Sequence, residues 1–309
     1  MRGVSVIVTE RLVRRYGQRT GIEDLSLRVE EGQLFGFLGP NGAGKTTTIR
    51  VLLGFLRPTE GRATVLGLDS WRDTRQVKQD VGYLPGDLRL YSAMTGRELL
   101  RIFGMIRRRD LTTPGCDLAE RFSLDMAVPV RKMSRGMRQK LGLILALAHK
   151  PRLLILDEPT ASLDPLMQEE LIGYLRRMAS QGHTIFFSSH TLSEVERLCD
   201  RIAVVREGRL VADEPLEAIR ARAQRRFTIR WATEAAQASV AAPGFLQVEQ
   251  RRDRTWEGNL TGKATELVQW AAQQPIEDIA IGLPDLESLF RRYYDQGGVE
   301  AQHAEVEGS

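Results

Sequence analysis

Residues 34–46 read LFGFLGPNGAGKT, and the fold follows from them. Leu34–Leu38 is a nearly continuous apolar run, which suits a strand covered on both faces. The octet after it, Gly39–Thr46, satisfies G-x-x-x-x-G-K-[ST], and a helical pattern starts at Lys45. Glycines let successive backbone N–H groups wrap a polyphosphate without Cβ clashes, and a helix start directs its positive dipole end at the same anion. Gly39, Pro40, Asn41, Gly42, Ala43 and Gly44 form that cradle, with Lys45, Thr46 and Thr47 opening the helix. Lys45 is expected to reach the β- and γ-phosphates of a nucleotide, and the Thr46 hydroxyl to ligate Mg²⁺.

Two more buried-strand patterns, Leu153–Leu156 and Thr184–Phe187, deliver polar groups to the same sheet edge, because ligands of α/β sheets gather at the carboxyl ends of the strands. The first ends in Asp157 and Glu158. Asp157 is placed to hold Mg²⁺, and Glu158 to face an attacking water and polarise its proton. An acidic pair in isolation reads equally well as a turn and helix cap. The other strand ends in Ser188-Ser189-His190, where His190 could hydrogen-bond a γ-phosphate or serve as a surface or capping residue. Helix starts are marked by S/T-x-x-E boxes at Thr95/Glu98 and Thr191/Glu194, and by Asp164 before Pro165.

From Val4 to about Ala221, β-rich runs alternate with helical patterns, which predicts a mainly parallel α/β sheet with antiparallel additions. The texture then turns Arg- and Ala-rich, so a boundary is drawn at 222, giving units 1–222 and 223–309. The second unit reads as strands at Phe227–Trp231, Phe245–Gln250, Thr255–Leu260 and Ile276–Ile281 and a helix at Ala264–Gln273. A further helix within Ala232–Ala242 would give a small α+β layer of ferredoxin-like order. A last helix sets Leu286, Leu289, Phe290 and Tyr293 on one face, and the tail after Gln296 frays.

The 309 residues are 42% hydrophobic and 27% charged without a biased tract, which excludes disordered, collagen-like and coiled-coil classes. The longest apolar run, Leu141–Ala148, is far short of the roughly 20 residues a spanning helix needs. Any membrane role must therefore come through a partner. The start, MRGVSVIVTERLVRRYG, lacks a secretory pattern, so a cytoplasmic location is expected. Cys116 and Cys199 are too few for a disulfide framework or zinc cluster. The +4 net charge and the arginine groups at 107–109 and 220–226 read as solvated faces, and no nucleic acid partner is expected.

Taken in order, Tyr16, GPNGAGKTT (39–47), MSRGMRQ (133–139), LLILDEPT (153–160), ASLD (161–164) and SSH (188–190) resemble the nucleotide-binding subunits of ABC transporters, over residues 1 to about 222. The resemblance implies a P-loop ATPase cassette with a helical subdomain, using ATP and Mg²⁺. It implies that Tyr16 stacks on adenine, and that subunits pair head to tail. Ser134 and Gly136 of one copy would then contact the γ-phosphate of ATP held by the other, with Asp164 at the seam. Ser134 is also the N-cap of a helix whose N–H groups form an anion site. One set of motifs per chain implies a homodimer, and the family implies separate membrane permease subunits and a peripheral place on the inner membrane face. The tail, PDLESLFRRYYD (284–295), is similar to those of drug, antibiotic and lipid exporter subunits; a dimer-stabilising layer and a regulatory ligand site both remain open for it.

Two departures stand out. The family's glutamine after the VGYLP strand falls at Gly86, so Asp87 or a water takes its contact, or the metal site is coupled differently. Arg135 and Met137 replace a glycine and a glutamine of the family's signature, while Ser134 and Gly136 remain. Two rivals stay open. A soluble ABC ATPase acting on ribosomes or DNA lacks support, because there is no second cassette and no heptad run between Lys45 and Ser134. A non-hydrolysing nucleotide sensor is opposed by Glu158 and His190 and kept open by Gly86.

Overall fold

The computed structural model describes residues 4–284 together with Leu286 and Phe290. The chain separates into two compact units, Met1–Leu216 and Glu217–Ser309. In chain order the first unit runs β1 (Ser5–Tyr16), β2 (Arg19–Glu30), β3 (Leu34–Leu38), α1 (Lys45–Leu52), β4 (Glu60–Val65), β5 (Leu68–Asp69), α2 (Thr74–Asp80) and β6 (Val81–Leu84). It continues with α3 (Gly96–Arg107), α4 (Thr112–Arg121), α5 (Arg135–Leu147), β7 (Leu153–Asp157), α6 (Pro165–Ser180), β8 (Thr184–Ser189), α7 (Leu192–Leu198), β9 (Arg201–Arg206) and β10 (Arg209–Pro215). Helix α8 (Leu216–Arg222) follows and, from Glu217 on, belongs to the second unit. The second unit then runs β11 (Arg225–Trp231), α9 (Glu234–Ser239), β12 (Leu246–Arg252), β13 (Thr255–Leu260), α10 (Ala264–Ala271) and β14 (Ile276–Pro284).

A six-stranded sheet of order β10-β9-β3-β8-β7-β6 is the frame of the first unit. Its pairs are parallel except the hairpin β9–β10. Every residue of β3, β7 and β8 is buried, as the continuous apolar runs require. Phe186 stacks on Phe35 at 5.6 Å between ring centres and meets Phe37 at 5.1 Å, and each such fully buried ring stabilises the fold by roughly 1.5–3 kcal/mol. Because β3, β7 and β8 are neighbours and parallel, their carboxyl ends, carrying Gly39, Asp157 and Ser189, share one edge.

A second, antiparallel sheet, β2-β1-β4-β5, turns one apolar face inward. Alternate residues of β2, Leu25, Leu27 and Val29, are buried, and they join Phe35, Ile49 and Leu52 in one core. Register shifts interrupt β1 against β2, with Arg11 and Asp24 at positive φ.

Helix α3 opens on a full capping box, Thr95 with Glu98, and α6 on the Asp164 carboxylate with Pro165 in its first turn. The expected box at Thr191/Glu194 does not form. The Thr191 side chain makes no cap bond, and the Glu194 carboxylate is taken by two hydroxyls from other segments. The apolar run Leu141–Ala148 is the buried face and end of α5, and no helix among the described residues is long and apolar enough to cross a membrane.

In the second unit β11, β12, β13 and β14 pair antiparallel in the order β12-β13-β11-β14, with α9 and α10 between strands. This β-α-β-β-α-β arrangement is the ferredoxin-like order expected from the pattern. Phe227, Ile229 and Trp231 point inward from β11 onto Trp256 and Leu267. Leu286 and Phe290 are helical and buried, whereas Leu289, Tyr293 and the tail after Gln296 lie outside the described residues.

Candidate nucleotide-binding site

The loop between β3 and α1 takes its shape from glycine. Gly44 has φ +103°, and a Cβ there would stand 2.6 Å from the Gly21 carbonyl oxygen, so no other residue fits without strain. Gly42 also has positive φ. Lys45 is nearly buried, 6% exposed, and its Nζ donates to the Gly39 and Pro40 carbonyls at 2.6 and 3.3 Å. The ammonium also lies 3.4 Å from Glu158 Oε1.

Asp157 ends β7 with both oxygens engaged. Its Oδ2 accepts from Thr46 Oγ1 at 2.8 Å and its Oδ1 from Ser188 Oγ at 2.6 Å. Glu158, the next residue, adopts φ +53°, a left-handed conformation that a non-glycine residue takes only when its surroundings hold it. That turn sends its carboxylate back over the loop, where Oε2 lies 2.7 Å from His190 Nδ1. Glu158 thus sits between Lys45 and His190, and the reading of the acidic pair as a mere helix cap does not hold.

Beside these groups opens a cavity of about 460 Å³. Tyr16, Arg19, Thr20 and Gly21 line one side, and Pro40, Asn41, Gly42, Gly44, Lys45, Thr46, Thr47 and Glu158 the other. That volume matches a small-ligand site. The Tyr16 ring is 41% exposed, and the Arg14 guanidinium lies 4.8 Å from its centre. Arg19 and Thr20 were not foreseen; their signal was proximity to Tyr16 in the β1–β2 hairpin. Ser188 was present in the SSH run, but its bond to Asp157 follows from the β7–β8 pairing, which sequence alone does not give.

Ser134, Gly136 and Asp164 lie outside this cavity lining. Ser134 accepts from the Met137 N–H at 3.1 Å as N-cap of α5. A Cβ on Gly136 would stand 2.9 Å from the Ser162 carbonyl oxygen, and Gln139 Nε2 donates to the Pro159 carbonyl at 3.0 Å. The start of α5 is therefore tied to the segment that follows Glu158. Asp164 caps α6 through the Met167 N–H at 2.9 Å.

Gly86 stands against Asp157: a Cβ there would lie 3.4 Å from Oδ2. Asp87 does not replace a missing side chain, because its carboxylate turns to Arg89 at 2.9 Å in an exposed pair. Nearby, burial and then the Asp157 charge push the Tyr83 phenol up to about 12, so it stays a neutral donor. Among the described residues no cluster of three or more His, Cys, Asp or Glu side chains could hold a metal by itself, and Cys116 and Cys199 are free thiols.

A phosphate-cradling loop at the carboxyl edge of a mainly parallel sheet, backed by a strand-end carboxylate pair, defines a P-loop nucleotide-binding cassette. Residues 22–161 match the ABC transporter family. The bacitracin transport ATP-binding protein of Bacillus licheniformis is 36% identical over 225 residues, 71% of this chain and 72% of that protein. An uncharacterised ABC transporter ATP-binding protein of a Synechocystis strain is 34% identical over 291 residues, covering 90% of this chain and 79% of the relative. A solved ATP-binding subunit of an ABC transporter superposes with TM-score 0.66 at 28% identity, over 70% of this chain and 92% of that one. The chain belongs to the ABC transporter ATP-binding family: it is the ATP-binding cassette of a transporter, an ATPase coupled to transport.

Proposed function

We propose that residues 1–222 form the nucleotide-binding domain of an exporter, that 223–309 form an accessory domain, and that two copies bind two ATP head to tail. The reading rests above all on Glu158, held between Lys45 at 3.4 Å and His190 at 2.7 Å beside the loop. A carboxylate so placed can polarise a water, and His190 can hold it in position and contact the γ-phosphate. Lys45 leaves the Gly39 and Pro40 carbonyls for the phosphates when nucleotide enters. Tyr16 offers its exposed ring to adenine.

The donors beside Asp157 suit Mg²⁺. The Thr46 hydroxyl and the Asp157 carboxylate are hard oxygen ligands already 2.8 Å apart, and Mg²⁺ prefers a few such ligands plus water and phosphate oxygens. Thr46 and Asp157 would hold the ion, and Ser188 would fix the other Asp157 oxygen. Bound there, the ion neutralises phosphate charge.

Ser134 and Gly136 stand outside the chain's own cavity, which favours a role toward nucleotide held by a second copy. The helix start they form would grip the γ-phosphate from the opposite side, and hydrolysis would remove the group gripped. Without a helix able to span a membrane among the described residues, the transport path is assigned to separate permease subunits, with this chain peripheral on the cytoplasmic face. Export of an antibiotic-like cargo is supported by likeness to the bacitracin transport protein. Glu158→Gln provides the test. It should bind ATP, lose turnover by about 10²-fold or more, and sediment as a dimer with saturating ATP. A variant that stays monomeric, or that turns over normally, contradicts the reading.

A further inference from the structure

We infer that Glu194 is a positioning residue that sets the spacing of the Glu158–His190 pair, by binding one hydroxyl beside each partner, Thr160 just after Glu158 and Ser189 at the end of β8 just before His190. The inference rests on the reading of Glu158 and His190 given above. Glu194 lies in the first turn of α7, where its spacing from Thr191 suggests a capping role that it does not perform. Its Oε1 accepts from Thr160 Oγ1 at 2.7 Å, and its Oε2 from Ser189 Oγ at 2.5 Å. Thr160 comes two residues after Glu158, and Ser189 one residue before His190. Both are buried, so these hydroxyls have no water to replace the carboxylate.

The geometry explains why one carboxylate matters. Glu158 sits at φ +53°, and such a conformation persists only where neighbours over-determine it. Gln139 fixes the Pro159 carbonyl from the α5 side at 3.0 Å, and Glu194 fixes Thr160 from the α7 side. On the other strand, the Thr191 N–H donates to Ser189 Oγ at 2.9 Å, so the hydroxyl that Glu194 holds also shapes the turn at His190. Two short hydrogen bonds to a charged acceptor are among the stronger ones a protein makes. Glu194 thus couples the two strand ends beyond the backbone ladder of β7 and β8, the Ser188–Asp157 bond and the pair itself.

The test uses the full chain with ATP and magnesium, reading kcat by phosphate release and ATP affinity by displacement of a fluorescent ATP analogue. Glu194→Ala should lower kcat about 10- to 100-fold, the range for ångström-scale misplacement of a reacting group. ATP affinity should stay within about threefold, since no phosphate or adenine contact is removed. Glu194→Gln should restore most of the turnover, because its amide oxygen can accept from Thr160 and its amide N–H can donate to Ser189 Oγ. On a Glu158→Gln background, Glu194→Ala should cause no further loss. An unchanged kcat in Glu194→Ala overturns the inference, as does a parallel fall of kcat and ATP affinity, or additive losses in the double variant. Should Glu194→Ala fail to fold, Thr160→Val keeps the shape and removes one of the two bonds; a normal kcat there overturns the inference. Normal turnover in Glu158→Gln would bring down the underlying reading and this inference with it, whereas loss in Glu158→Gln beside normal turnover in Glu194→Ala brings down this inference alone.

Discussion

Lowering the pH should loosen the first unit at His149. His149 follows α5 and is buried, with Nε2 3.3 Å from the Val81 carbonyl oxygen at the start of β6. A carbonyl only accepts, so Nε2 carries the proton and the buried Nδ1 is left without a partner. Burial, then the nearby Arg107 and Arg109 charges, lower its pKa from 6.5 to about 4. Arg107 donates to the same Val81 carbonyl at 3.1 Å, so a second cation there has no compensating acceptor. The sign follows from linkage. The unfolded chain takes up the proton below about pH 6.5 and the folded chain only near 4, so stability is full above that window and falls as pH drops through it. The cost is about 2 kcal/mol by roughly pH 5 and about 3 kcal/mol once both states are protonated. Hydrogen exchange of peptides from β6 and α5 in the wild type and in His149→Gln would measure it. The glutamine can keep a donor to Val81 but does not titrate, so the wild type should lose about 2 kcal/mol more protection between neutral pH and about pH 5. Equal losses in the two proteins would refute the reasoning.

The nucleotide contacts give two further expectations. Lys45→Ala removes an ammonium that would make at least two charge-assisted bonds of about 1.5–3 kcal/mol each, so ATP affinity should drop roughly 10²- to 10⁴-fold by isothermal titration calorimetry, and unchanged binding would remove Lys45 from the phosphate site. Tyr16→Ala should cost about 1–3 kcal/mol of ATP binding with kcat at saturation preserved, because stacking holds the base and not the reacting phosphate, and Tyr16→Trp should keep the affinity.

Legibility in the sequence followed the range of the interactions involved. The buried strands β3, β7 and β8 were readable because covered strands leave continuous apolar runs, and the polar residues that end them had to share an edge once the strands were parallel. The ferredoxin-like order of the second unit was readable from the succession of its strand and helix segments, and β11 shows the alternation of a one-sided sheet in its buried Phe227, Ile229 and Trp231. Local pattern misled at Thr191 and Glu194, where the capping spacing was present but two buried hydroxyls, Ser189 nearby and Thr160 from the end of another strand, offered the carboxylate better partners than one backbone N–H. The positive φ of Glu158 and the alignment of its carboxylate with Lys45 and His190 depend on packing by Gln139 and on the β7–β8 register, and neither leaves a mark in local sequence. At Gly86 the sequence marked the departure correctly, while the turn of Asp87 toward Arg89 could be seen only in three dimensions.

The proposal that each ATP is shared between copies meets its most direct test in a mixing experiment with two disabled variants. Lys45→Ala lacks its own phosphate grip, and Ser134→Arg obstructs the helix start offered to the other copy, so neither should release phosphate alone. Combined, a mixed pair has one seam with Lys45 from one copy facing Ser134 from the other, and phosphate release should return. A mixture no more active than its separate components, or a Ser134→Arg protein as fast as wild type, would contradict a site built from two chains.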